Sequence, residues 1–183
     1  LLLSVENDPQ ARFRAFFEEH YGAVLAYAYR RIGGGAAEDL AADTFLVAWR
    51  RFDTIPDDPL PWLFAVAKNL ISNHRRGAVR RDAFLTRLKR EPSPVLDDPG
   101  EHVGARAEIL AAFRRLSARD RETLALVAWE GLSAERAARV MGCSVGAFWV
   151  RLHRARRRLA KELESRTAGE ASMVIPDMET EQG

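Results

Sequence analysis

The stretch "GCSVGAFWVRLHRARRRLAKEL", residues 142–163, carries Arg151, Arg154, Arg156, Arg157, Arg158 and Lys161 before its first acidic residue, Glu162. Within it Phe148, Leu152, Ala155 and Leu159 recur at i, i+4, i+7 and i+11, which makes one apolar stripe of an α-helix. Arg151, Arg154 and Arg158 repeat that spacing about one step round, and Arg157 and Lys161 extend the basic side. The stripe predicts packing on the preceding helices, with a cationic face opposite. Taken alone, such a charge run usually solvates a surface. The residues just upstream shift the balance. "SAERAARVMG", 133–142, reads as a short helix capped by Ser133 and stopped by Gly142, and Ser144 caps the basic helix that follows. Two helices joined by a short glycine-containing turn form a helix-turn-helix. The second helix of that motif enters the major groove, with its first residues at base edges and its basic residues near phosphates. Phosphate neutralisation gives affinity without sequence choice, so the arginines alone do not specify a site.

Composition limits the alternatives. The 183 residues suit one or two modest cores. With 28 basic and 26 acidic residues the net charge is only +2, so affinity for a polyanion must come from local patches. One cysteine, Cys143, excludes an internal disulfide, and His20, His74, His102 and His153 show no metal-ligand spacing with it. Neither a metal nor a cofactor is expected. The opening "LLLSV" is too short for a signal-peptide core, and no stretch reaches the roughly 20 apolar residues that span a bilayer. The expectation is a soluble cytoplasmic protein with no membrane insertion.

The remaining chain also reads as helical. Phe13, Phe17, Val24, Ala28 and Ile32 give a helix over about 9–32, ended by the glycines at 33–35. "AEDLAADTFLVAWRRFD", 37–53, has Glu38 and Asp39 at its positive end and Arg50 and Arg51 at its negative end. "DTIPDDPLP", 53–61, holds three prolines and predicts a loop. "PWLFAVAKNLISNHRR", 61–76, starts apolar and ends basic. Residues 78–104 mix charge with prolines and read as a linker with a short helix near 82–90. A second block begins with "ARAEILAAFRRL", 105–116, after which Ser117 and Asp120 suggest a capping box for a helix ending near Gly131. The expected fold is all-α, with two small helical domains joined by a linker, the C-terminal one a helix-turn-helix. The domains are 9–77 and 105–165, with 78–104 between them and a disordered tail over 166–183.

"LSARDRETLALVAWEGLSAERAARVMGCSVGAFWVRLHRARRRLAKEL", 116–163, closely resembles the C-terminal domain of bacterial sigma factors of the extracytoplasmic-function group. The most telling pieces are "EGLS" and "RLHRARRRL". The segment 37–53 resembles the part by which these factors grip the polymerase clamp, and 61–76 resembles their promoter-opening helix. The resemblance covers roughly 13–76 and 107–163. It implies core RNA polymerase and promoter DNA as partners, an anti-sigma protein as a further candidate partner, and no catalytic residue. It assigns polymerase binding to Asp39, Leu40, Asp43, Phe45 and Trp49, although Leu40, Phe45 and Trp49 also suit a core. The downstream (minus 10) promoter element falls to Lys68, Asn69, Asn73, His74, Arg75 and Arg76. The loop 52–61 would capture a base from the melted strand. The upstream (minus 35) element falls to Ser144, Trp149, Arg151, His153, Arg154 and Arg158. Two departures stand out. Ala42-Asp43 replaces the family's usual Gln-Glu, and Val145, Ala147, Trp149 and Val150 stand where polar residues are common, which leaves fewer groups to hydrogen-bond base edges.

A helix-turn-helix repressor or activator is the competing reading, and it predicts tight DNA binding without polymerase. A decoy that binds protein alone also fits the altered recognition helix. A hydrolase using His20 or His74 lacks nucleophile-base spacing, a phosphate loop and a metal cluster.

Overall fold

The computed structural model describes residues 8–85 and 103–172, and these are helical throughout, with no strand among them. Helix α1 spans Pro9–Ile32. The Asp8 carboxylate accepts from the Gln10 amide at 3.0 Å, and Pro9 fills the first turn, where no N–H is needed. Gly33 ends it at φ 67°, sending its N–H back to the Tyr29 carbonyl. Helix α2, Ala36–Arg50, follows, then a 3-10 turn at Phe52–Thr54 and helix α3, Pro59–Leu85. The second unit contains α4 (Val103–Arg115), α5 (Ala118–Ala128), α6 (Ala134–Met141) and α7 (Val145–Ser172).

Three boundaries differ from the sequence reading. The prolines at 59 and 61 belong to the first turn of α3, not to the loop. Helix α3 continues eight residues beyond 77, through "AVRRDAFL" to Leu85. Once a helix is nucleated each added residue costs little, and no proline interrupts before Pro92. For the same reason α7 passes 165 and ends at Ser172, where the sequence suggested a tail. Residues 86–102, most of the expected linker and its short helix, and 173–183, the rest of the tail, lie outside the described residues.

Helices α1, α2 and α3 pack mutually around Val24, Tyr27, Ala28, Leu40, Ala41, Phe45, Leu63, Phe64 and Ala67. Tyr27 stacks on Phe64 with ring centroids 4.6 Å apart. Phe13, Phe16 and Phe17 close the far end against Phe45 and Phe52 in edge-to-face pairs. In the second unit α7 lies across α4, α5 and α6 and buries Phe148, Leu152 and Ala155, the stripe read from the sequence. The two cores meet where α3 packs on α6.

Helices α5, α6 and α7 are each started by a side chain. Ser117 accepts from the Asp120 amide at 3.1 Å and donates its hydroxyl to the Asp120 carboxylate at 2.8 Å. Ser133 and Ser144 cap α6 and α7 at 3.4 and 3.2 Å. Gly142, at φ 61° and ψ 46°, ends α6. Its N–H bonds the Arg139 carbonyl at 3.2 Å and the Cys143 N–H bonds the Ala138 carbonyl at 3.0 Å, the paired bonds of a Schellman stop. Only a left-handed residue closes this turn. Gly142→Ala therefore lowers stability by about 1 kcal/mol. Gly146→Ala, in the helical first turn of α7 with no atom within 4 Å of the added methyl, has the opposite sign at about 0.5–1 kcal/mol. Urea unfolding of the two variants checks the pair.

Candidate nucleic-acid interface

Helices α6 and α7, joined through residues 142–144, form the helix-turn-helix. Burial of Phe148, Leu152 and Ala155 turns the other side of α7 outward. That side begins apolar, with Val145, Trp149 and Val150 exposed at 36, 53 and 50 %. It becomes basic along His153, Arg154, Arg156, Arg157 and Lys161, all exposed and with no ion pair among the described residues. Ser144 is exposed at the start of α7, its oxygen taken by the capping bond.

Arg151 and Arg158 do not share this free face. Both sit at its edges, where the helix meets its neighbours. The Arg158 guanidinium bonds the Asp120 carboxylate at 2.6 Å and ties α7 to the start of α5. Arg151 turns inward, and its Nη1 is buried without a hydrogen-bond partner among the described residues. Of the six residues expected at the upstream element, Trp149, His153 and Arg154 stand on the free face with Ser144 at its end. Arg156 and Arg157, absent from that set, stand there too. The signal was available for Arg157, which lies opposite the apolar stripe, whereas Arg156 borders it.

On α3, Asn69, Asn73, His74 and Arg76 are exposed and Lys68 is half-buried, while the side chain of Arg75 lies outside the described residues. Arg76 donates to the Ser72 carbonyl at 3.2 Å and to the Asn73 side chain at 3.1 Å. Lys68, Asn69 and Arg76 line a cleft of about 370 Å³ that α5 closes with Arg119, Arg121 and Glu122. Burial holds the Lys68 ammonium below its ordinary value. Glu122 and Cys143 pull it back up, and the Arg119 and Arg151 cations push it down further.

Helix α2 divides the expected polymerase-binding residues. Asp39, Asp43 and Trp49 are exposed, and Trp49 sets its ring edge-on to Phe13 at 4.8 Å. Leu40 and Phe45, at 6 and 3 % exposure, belong to the core, which corrects their assignment to the outer surface. Phe45 sets its ring edge-on to Phe17 of α1 at 4.8 Å, and is buried although Trp49, one turn on at i+4, is its neighbour on the helix. Leu46, three residues after Asp43 and three before Trp49, takes the outer position at 48 % exposure.

Two ionic clamps join the units. Arg31 donates to Glu122 at 2.8 Å and to Glu130 at 2.8 Å, and its guanidinium lies 3.4 Å over the Tyr27 ring. The Tyr27 hydroxyl donates to Glu122 at 2.7 Å. Burial, and then the Glu122 charge, push that hydroxyl well above the usual phenol value, so it stays a donor. Arg30 also bonds Glu130. The second clamp joins Asp58, just before α3, to Arg136 and Arg139 of α6. No three His, Cys, Asp or Glu side chains among the described residues are grouped to hold a metal, and none of the described helices is long and apolar enough to cross a membrane.

A helix-turn-helix with an unpaired cationic face, docked on a second helical unit, defines a DNA-binding transcription protein. Residues 16–81 match the family model of sigma-70 region 2 and residues 106–159 that of sigma-70 region 4. The chain is 34% identical over 160 residues to the ECF RNA polymerase sigma factor SigL of Mycobacterium tuberculosis, covering 84% of this chain and 90% of SigL. It is 35% identical over 158 residues to the ECF RNA polymerase sigma factor BldN of Streptomyces coelicolor, covering 82% of this chain but 60% of BldN. Its fold matches the sigma factor RpoE of Bartonella quintana, solved with the anti-sigma factor NepR, at a TM-score of 0.68 and 27% identity over 84% of this chain and 97% of RpoE. The chain belongs to the sigma-70 family, in its extracytoplasmic-function group, a family of transcription-initiation factors that direct RNA polymerase to promoters rather than of catalytic enzymes.

The half-buried Lys68 carries a measurable cost. A lysine pulled below its ordinary value destabilises the docked form while it is charged, and the penalty fades as pH rises through its lowered value. Lys68→Met raises the thermal midpoint at pH 7, and the gap to the parent narrows as pH climbs toward about 10, near the ordinary lysine value. A lower midpoint for the variant at pH 7 would show that the ammonium makes a net favourable contact.

Proposed function

We propose that the chain recruits core RNA polymerase through the outer face of α2 and reads two promoter elements, one from each helical unit. Asp39, Asp43, Leu46 and Trp49 form the polymerase surface. Acidic groups flanking exposed apolar side chains suit a basic amphipathic partner helix, and Leu40 and Phe45 hold that face in place from beneath. Lys68, Asn69, Asn73, His74, Arg75 and Arg76 serve the downstream element, with the loop before α3 taking the unstacked base. Ser144, Trp149, His153, Arg154, Arg156 and Arg157 serve the upstream element. Arg158 orients α7 through Asp120, and Arg151 reaches DNA only when the units part. Residues 9–85 form the first functional unit and 103–172 the second.

The observation that carries this reading is the row of exposed, unpaired cations on the second helix of a helix-turn-helix in a sigma-70 chain. Trp149 and Val150 favour contact with thymine methyls and with DNA shape over hydrogen-bonded readout. The site of action is the cytoplasm, where polymerase and promoter are. An anti-sigma protein is the inhibitory partner this reading favours, since RpoE, to which the fold is similar, was solved with NepR.

The purified chain, mixed with core RNA polymerase and fragmented host DNA, is expected to produce transcripts whose 5′ ends share two spaced upstream elements. Retained core binding without new starts would mark a decoy. No core binding would return the chain to an ordinary helix-turn-helix regulator. Asp43→Arg together with Trp49→Ala abolishes the core complex on gel filtration and leaves the fold intact. Arg154→Ala and Arg157→Ala each reduce the salt slope of duplex binding by about 1, the signature of a lost phosphate contact. Arg158→Ala, whose partner is Asp120, acts chiefly on the thermal midpoint.

A further inference from the structure

Asp58 sits at the end of the loop that precedes α3, and Arg136 and Arg139 project from α6, the first helix of the helix-turn-helix. Arg136 grips the Asp58 carboxylate with two parallel bonds, Nε to Oδ2 at 3.0 Å and Nη2 to Oδ1 at 2.7 Å. Arg139 adds a third, Nη2 to Oδ2 at 2.5 Å. The Arg136 hydrogen bonds hold the Asp58 carboxyl below its ordinary value, burial opposes them, and Arg139 lowers it further. All three side chains remain a third or more exposed. A lone surface ion pair contributes little, but a planar fork closed by two parallel bonds, with a second guanidinium on the same acid, is specific geometry. The same fork recognises phosphate as well as carboxylate. In a docked helix-turn-helix the first helix crosses the DNA backbone, so the exposed arginines of α6 lie where phosphates pass.

We propose that Arg136 and Arg139 are DNA-backbone contacts, and that Asp58 occupies them in the free chain as an internal stand-in for phosphate. The carboxylate and a duplex phosphate compete for one pair of guanidinium groups. While Asp58 is seated, α6 is closed to DNA and the loop assigned to base capture is held against the other unit. Separation of the units frees both at once. The inference rests on the sigma-factor reading for the role of that loop, but the competition itself can be measured without polymerase.

The test uses the full chain and a fluorescein-labelled 30-base-pair duplex of mixed sequence, followed by anisotropy between about 0.05 and 0.3 M salt. Asp58→Asn preserves shape and removes the charge. It is expected to tighten duplex binding by about tenfold, whereas Asp57→Asn, which removes an equal charge one residue away from an exposed carboxylate, changes it less than about twofold. Arg136→Ala with Arg139→Ala weakens binding and reduces the salt slope by about 2. Adding Asp58→Asn to that pair then has no further effect. Thermal melting confirms that each variant is folded. Equal effects of Asp58→Asn and Asp57→Asn, or an Asp58→Asn gain that persists without the two arginines, would overturn the competition. An unchanged salt slope in the arginine pair would remove them from the DNA interface. Run-off transcription with core polymerase is scored separately. If the parent chain fails there while the duplex results hold, the sigma reading falls and the exchange at Asp58 stands.

Discussion

The Arg31 guanidinium, on the last turn of α1, is held between two carboxylates of the other unit and rests on the Tyr27 ring. The Glu130 side chain is only 2 % exposed, so its charge is tolerable there because Arg30 and Arg31 both reach it. Removing one partner from such a site normally costs several kcal/mol. Here the loss is bounded, because parting the two units returns both acids to water. The orientation of α5 against α1, the cleft between α3 and α5, and the meeting of α3 with α6 all depend on this pairing. It specifies one arrangement of two units that each have their own core.

That arrangement bears directly on promoter recognition. Lys68 and Arg76 of α3 line the cleft that faces the second unit, whereas His153, Arg154, Arg156, Arg157 and Lys161 of α7 are exposed outside it. The docked chain therefore offers α7, the helix proposed to read the upstream element, to solvent and keeps part of α3, proposed to read the downstream one, covered. The face of α2 proposed to bind polymerase lies outside the contact, with Asp39, Asp43, Leu46 and Trp49 all exposed.

The features visible in the sequence were local ones. Ser117, Ser133, Ser144 and Gly142 each act within a few residues of their own position, and the stripe of Phe148, Leu152 and Ala155 follows the helical period without interruption. Helix α2 was harder to read. Leu40, Ala41, Phe45, Leu46, Val47, Ala48 and Trp49 leave apolar residues on nearly every side, so the period does not separate the buried Phe45 from the exposed Leu46. Arg158 was unreadable for another reason. Its partner Asp120 is 38 residues away, and nothing near either residue marks the pair. The clamps between units span still greater separations, 91 residues from Arg31 to Glu122 and 78 from Asp58 to Arg136. Helix ends past 77 and 165 were missed because charge and small residues mimic a linker when no apolar face demands a helix.

Lys68 and Arg119 line the cleft, the Arg151 charge also acts on Lys68, and the nearby acids are engaged elsewhere. Glu122 and Glu130 hold Arg31, Asp58 holds Arg136 and Arg139, and Asp120 holds Arg158. The closed molecule is thus a latch shut over a compressed spring: ion pairs at the rim pull the halves together while like charges within push them apart. Its setting shifts when either the catch or the spring is altered by a single charge, so relatives with the same fold can open under different conditions without any change in the helices that carry them.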